Sequence, residues 1–550
     1  MPRKSVRDHV ARKYLARRLA VFRFVILAVI ISVALQIGYF VVLRPEPYRS
    51  LAEHQHIIEV KVPGRRGTIY DRHGKPLAFT GEGLTVEVVD TVSVKDSVRL
   101  SRWGINVKRT ALHRRIEGLS PFLWDSLRNI RSIFRTLRYN RRYYPCGDAC
   151  SDIVGKVRGL HGVSGMEYGY DSVLAPGYTV RRYLRDASGK VYPMPVSLFS
   201  ALREYLFHRE AADGRDLHTT IDMDLQRLSY RLLKERVEQV DARGGMVVVA
   251  DAKTGDILVY SSVGSLRRNH IFNYEPGSNF KVVVYTEGLE RGIRPEDTCG
   301  ITDGLLSLGK GVQIRDLSPL KDKSTWYWAL VKSSNACASK LALMMDSIRK
   351  NGLYRRALLY GFGEPANIGL PEDPVRLEKL SRYRTWRKVK IANMAIGQGI
   401  YVNPIQMVRA YITIANDGRF IFPKLVQGPV RYYPIRTVAS KETFRTLKEM
   451  LVGVVDSGTG RWAKIRGIKV AGKTGTAQKY DRRARRYSMA KSLTSFIGFF
   501  PAEDPKYVIY VLIDEPKKVR TGGTAAAPLF KKIAKGIVKL DSLKNGYSPR

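Results

Sequence analysis

The chain is poor in cysteine and histidine, and poor in acids for the number of bases it carries. Four cysteines and nine histidines are spread over 550 residues. No Cys-x-x-Cys pair and no histidine cluster accompanies them, which excludes the common zinc frameworks. His54 and His56, two apart, read as surface residues. Fixed-period repeats and low-complexity tracts are missing, so solenoid arrays and compositionally biased segments drop out. Acids number 50 against 94 lysines and arginines, a formal charge of +44. An excess of that size ordinarily indicates nucleic acid or an anionic membrane surface as partner.

Long apolar runs are missing too, with one exception. Phe24 to Leu43 reads FVILAVIISVALQIGYFVVL, free of charge and close to the ~20 residues a helix needs to cross a bilayer. Arg3, Lys4, Arg7, Arg12, Lys13, Arg17, Arg18 and Arg23 precede it against the single acid Asp8. By the positive-inside rule the N-terminus stays cytoplasmic and everything after Leu43 lies outside. A cleaved signal peptide fits less well, because the run exceeds a typical h-region and Arg44-Pro45-Glu46-Pro47 offers no small-residue cleavage site. An exported domain meets no nucleic acid. The basic excess is then assigned to anionic lipid headgroups, to a pyrophosphate-bearing or carboxylate-rich wall substrate, and mostly to solvated faces such as Arg482-Arg483-Ala484-Arg485-Arg486. Export also permits disulfides: Cys146 and Cys150 are close enough to pair around a tight loop, and Cys299 with Cys337 is a second option.

The organisation reads as a cytoplasmic tail at 1–23, a transmembrane helix at 24–43, an N-terminal β-rich pedestal at 44–215 and a larger C-terminal domain at 216–550. Within the last, Thr219-Thr220-Ile221-Asp222 caps a polar helix. Gly245 to Asp251 reads as a buried strand that turns through Lys253-Thr254-Gly255-Asp256 into Ile257 to Tyr260, a hairpin. Ser495 to Phe500 and Tyr507 to Ile513 make a second hairpin, the stretch around Lys473 precedes it as another strand, and a helix follows Thr524. The class is α+β, with a mostly antiparallel sheet flanked by helices.

Three short motifs stand in one order: Ser278-Asn279-Phe280-Lys281, Ser333-Ser334-Asn335 and Lys473-Thr474-Gly475-Thr476. A set of S-x-x-K, S-D-N and K-T-G is the known signature of penicillin-binding proteins and class A β-lactamases; the middle motif here departs from it as S-S-N but keeps the outer Ser and Asn that the chemistry needs. Pro276-Gly277 precedes Ser278, and the run through Tyr285 is apolar enough for a buried helix, so Ser278 sits at a helix start with Lys281 one turn on. A lysine must be neutral to accept a proton. Burial and a second nearby cation, assigned to Lys473, would lower the Lys281 pKa. Ser333 can relay a proton to a leaving amine, and Asn335 can bond Lys281 and a substrate amide at once. Lys473 to Thr476 suits an edge strand along which a peptide lies, with Thr474, Gly475, Thr476 and Lys473 holding a carboxylate. Gly-Lys-Thr is also a fragment of the phosphate-binding loop, but the G-x-x-x-x-G-K-[ST] spacing is read as failing, no strand–helix context follows and ATP is not expected outside the membrane.

The chain resembles the class B penicillin-binding proteins over nearly its whole length, through RGTIYDRHGKPLA at 66–78, RYYP at 142–145, YEPGSNFK at 274–281, SSN at 333–335, GQG at 397–399 and AGKTGTAQ at 471–478. The resemblance implies a penicilloyl-serine transferase fold behind an N-terminal pedestal, acting as a D,D-transpeptidase that cross-links peptidoglycan without metal or organic cofactor. It implies that Ser278 attacks the penultimate D-Ala carbonyl, that the N–H groups of Ser278 and Thr476 form the oxyanion hole, and that β-lactam antibiotics acylate the same serine. It also implies a SEDS-family glycan polymerase, with other division or elongation membrane proteins, as partners. The Tyr-Glu-Pro-Gly-Ser form and the short C-terminus resemble the septal, cell-division subtype more than the elongation subtype. Asn403 stands where many relatives have Thr.

Other readings share parts of this pattern. A class A β-lactamase needs a deacylating carboxylate, and Glu372 cannot be assigned that role from sequence. A β-lactam sensor would carry further spans or a cytoplasmic protease part, and a non-enzymatic division scaffold would not need Ser278, Lys281, Asn335 and Lys473 intact. A bifunctional enzyme would carry a glycosyltransferase module, for which the region between Leu43 and Asp213 has the wrong size and texture.

Overall fold

The computed structural model describes residues 4–40, 57–88, 115–119, 134–185, 191–193, 212–268, 270–309, 311–321, 324–375, 377, 387–428, 432–481 and 486–544, with Lys95, Val98 and Ser101. The end of the apolar run at 41–43, His54 and His56, and positions 482–485 of the arginine-rich stretch lie outside these. The chain divides into two compact units, Met1–Gly64 with Gly177–Ala212, and Arg65–Pro176 with Asp213–Arg550.

The first unit holds helix α1, Lys4–Gly38, and an antiparallel sheet of Ile57–Pro63, Tyr178–Arg185 and Val191–Pro193. From Arg12 to Gly38 the helix is long and apolar enough to cross a membrane. It fits a single-pass anchor. The basic flank is helical as well, because its arginines and lysines are good helix formers and nothing breaks the run before Gly38.

In the second unit, Pro76–Val88 is the long strand on which Arg115–Leu119 and Phe134–Tyr143 pair, both antiparallel. Arg66 and Arg142 converge on Glu167, which is fully buried. The Arg66 Nε donates to Glu167 Oε2 at 2.6 Å and the Arg142 Nε to Oε1 at 2.8 Å. Arg66 also reaches Asp171 at 2.7 Å. Glu167 and Asp171 together balance the two guanidiniums, so removing Glu167 takes the carboxylate from buried Arg142 and leaves Arg66 with Asp171 alone. Glu167→Ala is expected to destabilise this part of the protein by roughly 3–5 kcal/mol, seen as a fall in Tm, whereas Glu167→Gln should recover a portion through its remaining acceptor.

The C-terminal part is built on one five-stranded sheet. Helix α2, Met223–Gln239, begins where Asp222 accepts hydrogen bonds from the amides of Asp224 and Leu225 at 3.1 and 3.0 Å. Strands β1, Gly244–Asp251, and β2, Ile257–Gly264, form the first hairpin. After them come helices α3, Lys281–Glu290, α4, Trp326–Val331, and α5, Asn335–Ile348. Strands β3, Ala471–Asp481, β4, Arg486–Phe500, and β5, Tyr507–Asp514, then lead to the closing helix α6, Ala527–Lys544. The strand order is β2-β1-β5-β4-β3, antiparallel throughout.

Both faces of this sheet are buried, and the period of two decides which side chain goes where. Val247, Val249, Phe496, Ile509 and Val511 pack with Leu529, Phe530 and Ile533 of α6. Their neighbours Met246, Val248, Ile497, Val508, Tyr510 and Leu512 pack into the larger core on the other side, with Val282 to Tyr285 of α3 and Leu341 of α5. A strand apolar on both faces shows no alternation in sequence, which is why these read as short continuous runs. Strand β3 lies at the edge, with one side unpaired among the described residues.

Candidate active site

Ser278 does not open the α-helix itself. It sits in a 3-10 turn, Gly277–Phe280, that feeds into α3 at Lys281. Close backbone packing explains the tighter turn. Gly277 adopts φ 56°, its amide donates to the carbonyl of Gly397 at 3.1 Å, and a Cβ on it would meet the carbonyl oxygen of Thr476 at 3.0 Å. Residues at i and i+3 eclipse in a 3-10 turn, so Ser278 and Lys281 still share a face. The same packing brings the backbone before Ser278 against that of Thr476.

Ser333 follows α4 in the left-handed region, φ 63°, which turns its side chain and carbonyl toward the lysines. Lys281 Nζ donates to the Ser333 carbonyl at 2.6 Å, to its Oγ at 3.2 Å and to Asn335 Oδ1 at 2.8 Å. Lys473 Nζ donates to the same Ser333 Oγ at 2.7 Å and to the Thr474 carbonyl at 3.2 Å. The hydroxyl of Ser333 therefore stands between the two ammonium groups. Both lysines are fully buried. Burial lowers Lys281 to about 7, against an opposing pull from the Asp316 carboxylate. Burial also holds Lys473 well below its ordinary value, and the neighbouring Lys281 charge adds to that. Two adjacent buried amines cannot both stay charged at low cost, so one is held neutral near pH 7.

Ser278, Ser333, Asn335, Thr474 and Thr476 line one cleft of about 510 Å³. Alternate residues of β3, Thr474, Thr476 and Gln478, face it. Lys473 lies beneath, reaching Ser333 rather than the cleft surface. Gly475 faces away from the cleft, where a Cβ would come 2.3 Å from Ser495 Oγ and 2.7 Å from Asn279 Nδ2; only glycine lets the strand approach the turn that carries Ser278. The Asn279 amide in turn donates to Ser495 Oγ at 2.6 Å. Residues 467–474 do match the phosphate-binding loop spacing letter by letter, but Lys473 and Thr474 lie inside a strand and not at a helix N-terminus, so no cradle of amides forms.

Asp316 is the functional residue that local sequence does not reveal. Its carboxylate accepts from Ser334 Oγ at 2.7 Å and from the amides of Asn335 and Ala336 at 2.5 and 2.8 Å. Ser334 caps α5 through the amide of Cys337 at 3.0 Å. The middle motif is thus fixed by an acid at a helix N-terminus, and the inner serine, which carries no role in the sequence pattern, is the cap. Cys337 is joined to Cys299, and Cys146 to Cys150. The Cys299–Cys337 bridge ties the start of α5 to the segment that follows α3.

Two residues weighed from sequence fall elsewhere. Glu372 accepts from the amide of Ala366 at 2.8 Å and does not line the cleft. Asn403 caps the helix Pro404–Ala415 through a reciprocal pair with Gln406. Among the described residues Asp316 is the one carboxylate lining the cleft, and its oxygens are already taken.

A family model described as the penicillin binding protein transpeptidase domain matches residues 245–535, which include every residue of this cleft and more than half of the chain. The chain belongs to the class B penicillin-binding protein transpeptidase family. The whole cleft lies within that transpeptidase domain. Peptidoglycan D,D-transpeptidase FtsI of Escherichia coli K12 is 27% identical over 564 residues, spanning 94% of this chain and 92% of that protein. Penicillin-binding protein PbpB of Mycolicibacterium smegmatis is 28% identical over 593 residues, spanning 94% and 89%. In fold, penicillin-binding protein 3 of Mycobacterium tuberculosis, solved with aztreonam, matches with a TM-score of 0.66 at 24% identity, covering 88% of this chain and 98% of that one.

Proposed function

We propose that this transpeptidase cross-links peptidoglycan stem peptides outside the cytoplasmic membrane, through an acyl-enzyme on Ser278, in the septal wall made at cell division. The observation that carries the reading is the buried pair Lys281 and Lys473 bridged by Ser333 beside a half-buried serine. A peptide ending in D-Ala-D-Ala lies along β3, its terminal carboxylate toward Thr474 and Thr476. Ser278 Oγ attacks the penultimate carbonyl as its proton passes to Lys281 Nζ. The amide N–H groups of Ser278 and Thr476 hold the developing oxyanion, each donor worth on the order of 3 kcal/mol. The C–N bond then breaks, the D-Ala amine takes a proton by way of Ser333, and the ester on Ser278 passes its acyl group to an amine of a neighbouring stem.

β-Lactams enter the same path and stop at the ester. No free carboxylate among the described cleft residues is placed to activate water, which favours a long-lived adduct over hydrolysis and separates this reading from a β-lactamase. The septal assignment is supported by Tyr274-Glu275-Pro276-Gly277-Ser278. The basic flank of α1 favours a cytoplasmic N-terminus. A SEDS-family polymerase supplies the glycan, and Ser32, Gln36 and Gly38 of α1 offer a docking face.

The test is incubation of the purified full chain with a fluorescent penicillin, followed by mass mapping of the labelled peptide, with release of D-Ala from a stem-peptide donor measured in parallel. A stable adduct on Ser278 is expected. Rapid loss of label as hydrolysed penicillin would favour a lactamase, and no label would favour a scaffold. With Lys281 as the base, the neutral form does the work, so the acylation rate should climb about tenfold per pH unit below the pKa near 7 and level off above it. A rate flat between pH 5.5 and 8 would remove Lys281 from that role.

A further inference from the structure

Four buried side chains that do not line the cleft tie the turn carrying Ser278 to the sheet: Tyr274, Asn279, Ser495 and Tyr510. The Asn279 Nδ2 donates to Ser495 Oγ at 2.6 Å and to Tyr510 Oη at 3.4 Å. Tyr510 Oη in turn shares a hydrogen bond with Tyr274 Oη at 2.5 Å. The main chain is held as well. The Asn279 carbonyl accepts from Tyr411 Oη at 3.3 Å, and the Tyr274 amide donates to the Val402 carbonyl at 2.9 Å. Ser278 therefore lies on a short segment pinned before and behind it, from beneath the cleft.

The bond between Asn279 and Ser495 spans a particular gap. Asn279 follows Ser278, and Ser495 pairs across the ladder with Gly475, which precedes Thr476. One hydrogen bond thus joins the immediate neighbours of the two amides assigned to the oxyanion hole. An apolar pair at 279 and 495 would fill the same space and leave no polar atom unpaired, whereas the Asn279 Oδ1 is buried with no hydrogen-bond partner. What an apolar pair would lack is direction. A hydrogen bond weakens steeply as its angle closes, so it fixes orientation where an apolar contact can slide, and a buried polar network rigidifies what surrounds it.

We propose that Asn279 and Ser495, backed by Tyr510 and Tyr274, are positioning residues that set the separation of the Ser278 and Thr476 amides, and with it the fit of the oxyanion hole. The proposal rests on the reading of those two amides as the hole. Neither side chain touches substrate or takes a proton. Their effect is confined to the tetrahedral state, because the hole is complementary to the oxyanion and not to the carbonyl that precedes it. Donors shifted by a fraction of an ångström then cost rate and leave the binding of the unreacted ligand unchanged.

The experiment follows labelling of the full chain by a fluorescent penicillin over a range of concentrations, which separates the maximal acylation rate from the half-saturating concentration. Affinity for an aryl boronic acid is measured beside it, since boron takes the serine oxygen into a tetrahedral adduct that places a hydroxyl in the hole. Asn279→Val should lower the maximal rate by about 10- to 100-fold and weaken the boronic acid by a like factor. The half-saturating concentration should stay within about threefold of wild type, and the inflection near pH 7 should remain, because Lys281 is untouched. Ser495→Ala should slow acylation about tenfold, and the double variant should be no slower than Asn279→Val, as both remove one bond. Where Asn279→Val does not fold, Ser495→Ala, which removes a single hydroxyl, is read in the same way. A folded variant with a maximal rate within about threefold of wild type overturns the proposal. So does a slower rate with boronic acid affinity unchanged, or losses that multiply in the double variant. Failure of the underlying reading looks different: the wild-type protein would then take no penicillin label, or carry it off Ser278.

Discussion

Ser278→Ala should abolish stable labelling by penicillin and release of D-Ala, without lowering Tm. The two halves of that expectation have separate physical grounds. The Ser278 side chain is half-buried, and its hydroxyl makes no hydrogen bond to another described residue, so its removal leaves no buried partner unsatisfied and should shift stability by no more than ~0.5 kcal/mol. Chemistry is another matter, because the oxygen is the bond-forming atom. Losing the nucleophile costs on the order of 10⁶ in rate in a serine protease where it has been removed, and a comparable loss here would put turnover below detection. Ser333 is the competing nucleophile, since it lies against both lysines. Mass mapping that finds the adduct on Ser333, or labelling of Ser278→Ala at a rate near wild type, would reassign the site.

The residues that could be read from sequence are those whose role is local. Asp222 as a cap, the hairpin turning at Gly255, the edge strand at Lys473 and the three motifs each depend on neighbours within a few positions. The turn at Ser278 came out 3-10 where an α-helix start was expected, because its geometry is set by Gly397 and Thr476, more than a hundred residues away. Asp316 was not legible for the same reason. It precedes Ser334 by eighteen positions, with no periodicity or spacing to connect them. The cysteine pairs could be named as options and no more, since proximity of Cys299 to Cys337 is a property of the fold and not of their separation of 38 positions. Sequence also assigned Lys473 to the carboxylate; its full burial beneath Ser333 is a fact about packing density that no motif conveys.

Burial bears on the larger question of which lysine takes the proton. Both are desolvated and both bond to Ser333 Oγ, so either could in principle be the base. Lys281 shares a face with Ser278, and its neutral form is accessible near pH 7. Lys281→Arg keeps the charge but cannot release a proton at any working pH, and Lys281→Gln supplies a hydrogen-bonding group with no basic nitrogen. Each is expected to lower the acylation rate by about 10² to 10⁴ at pH 8 and to erase the inflection near pH 7. Arginine is bulkier than the pocket that holds Lys281, so Tm is measured for both, and the glutamine variant decides the case if the arginine variant is unfolded. Should Lys281→Gln keep an inflection in the same range, Lys473 would be the titrating base and Lys281 a positioning residue that holds Ser333 and Asn335 through its three hydrogen bonds. A variant rate within about tenfold of wild type would exclude Lys281 as general base outright.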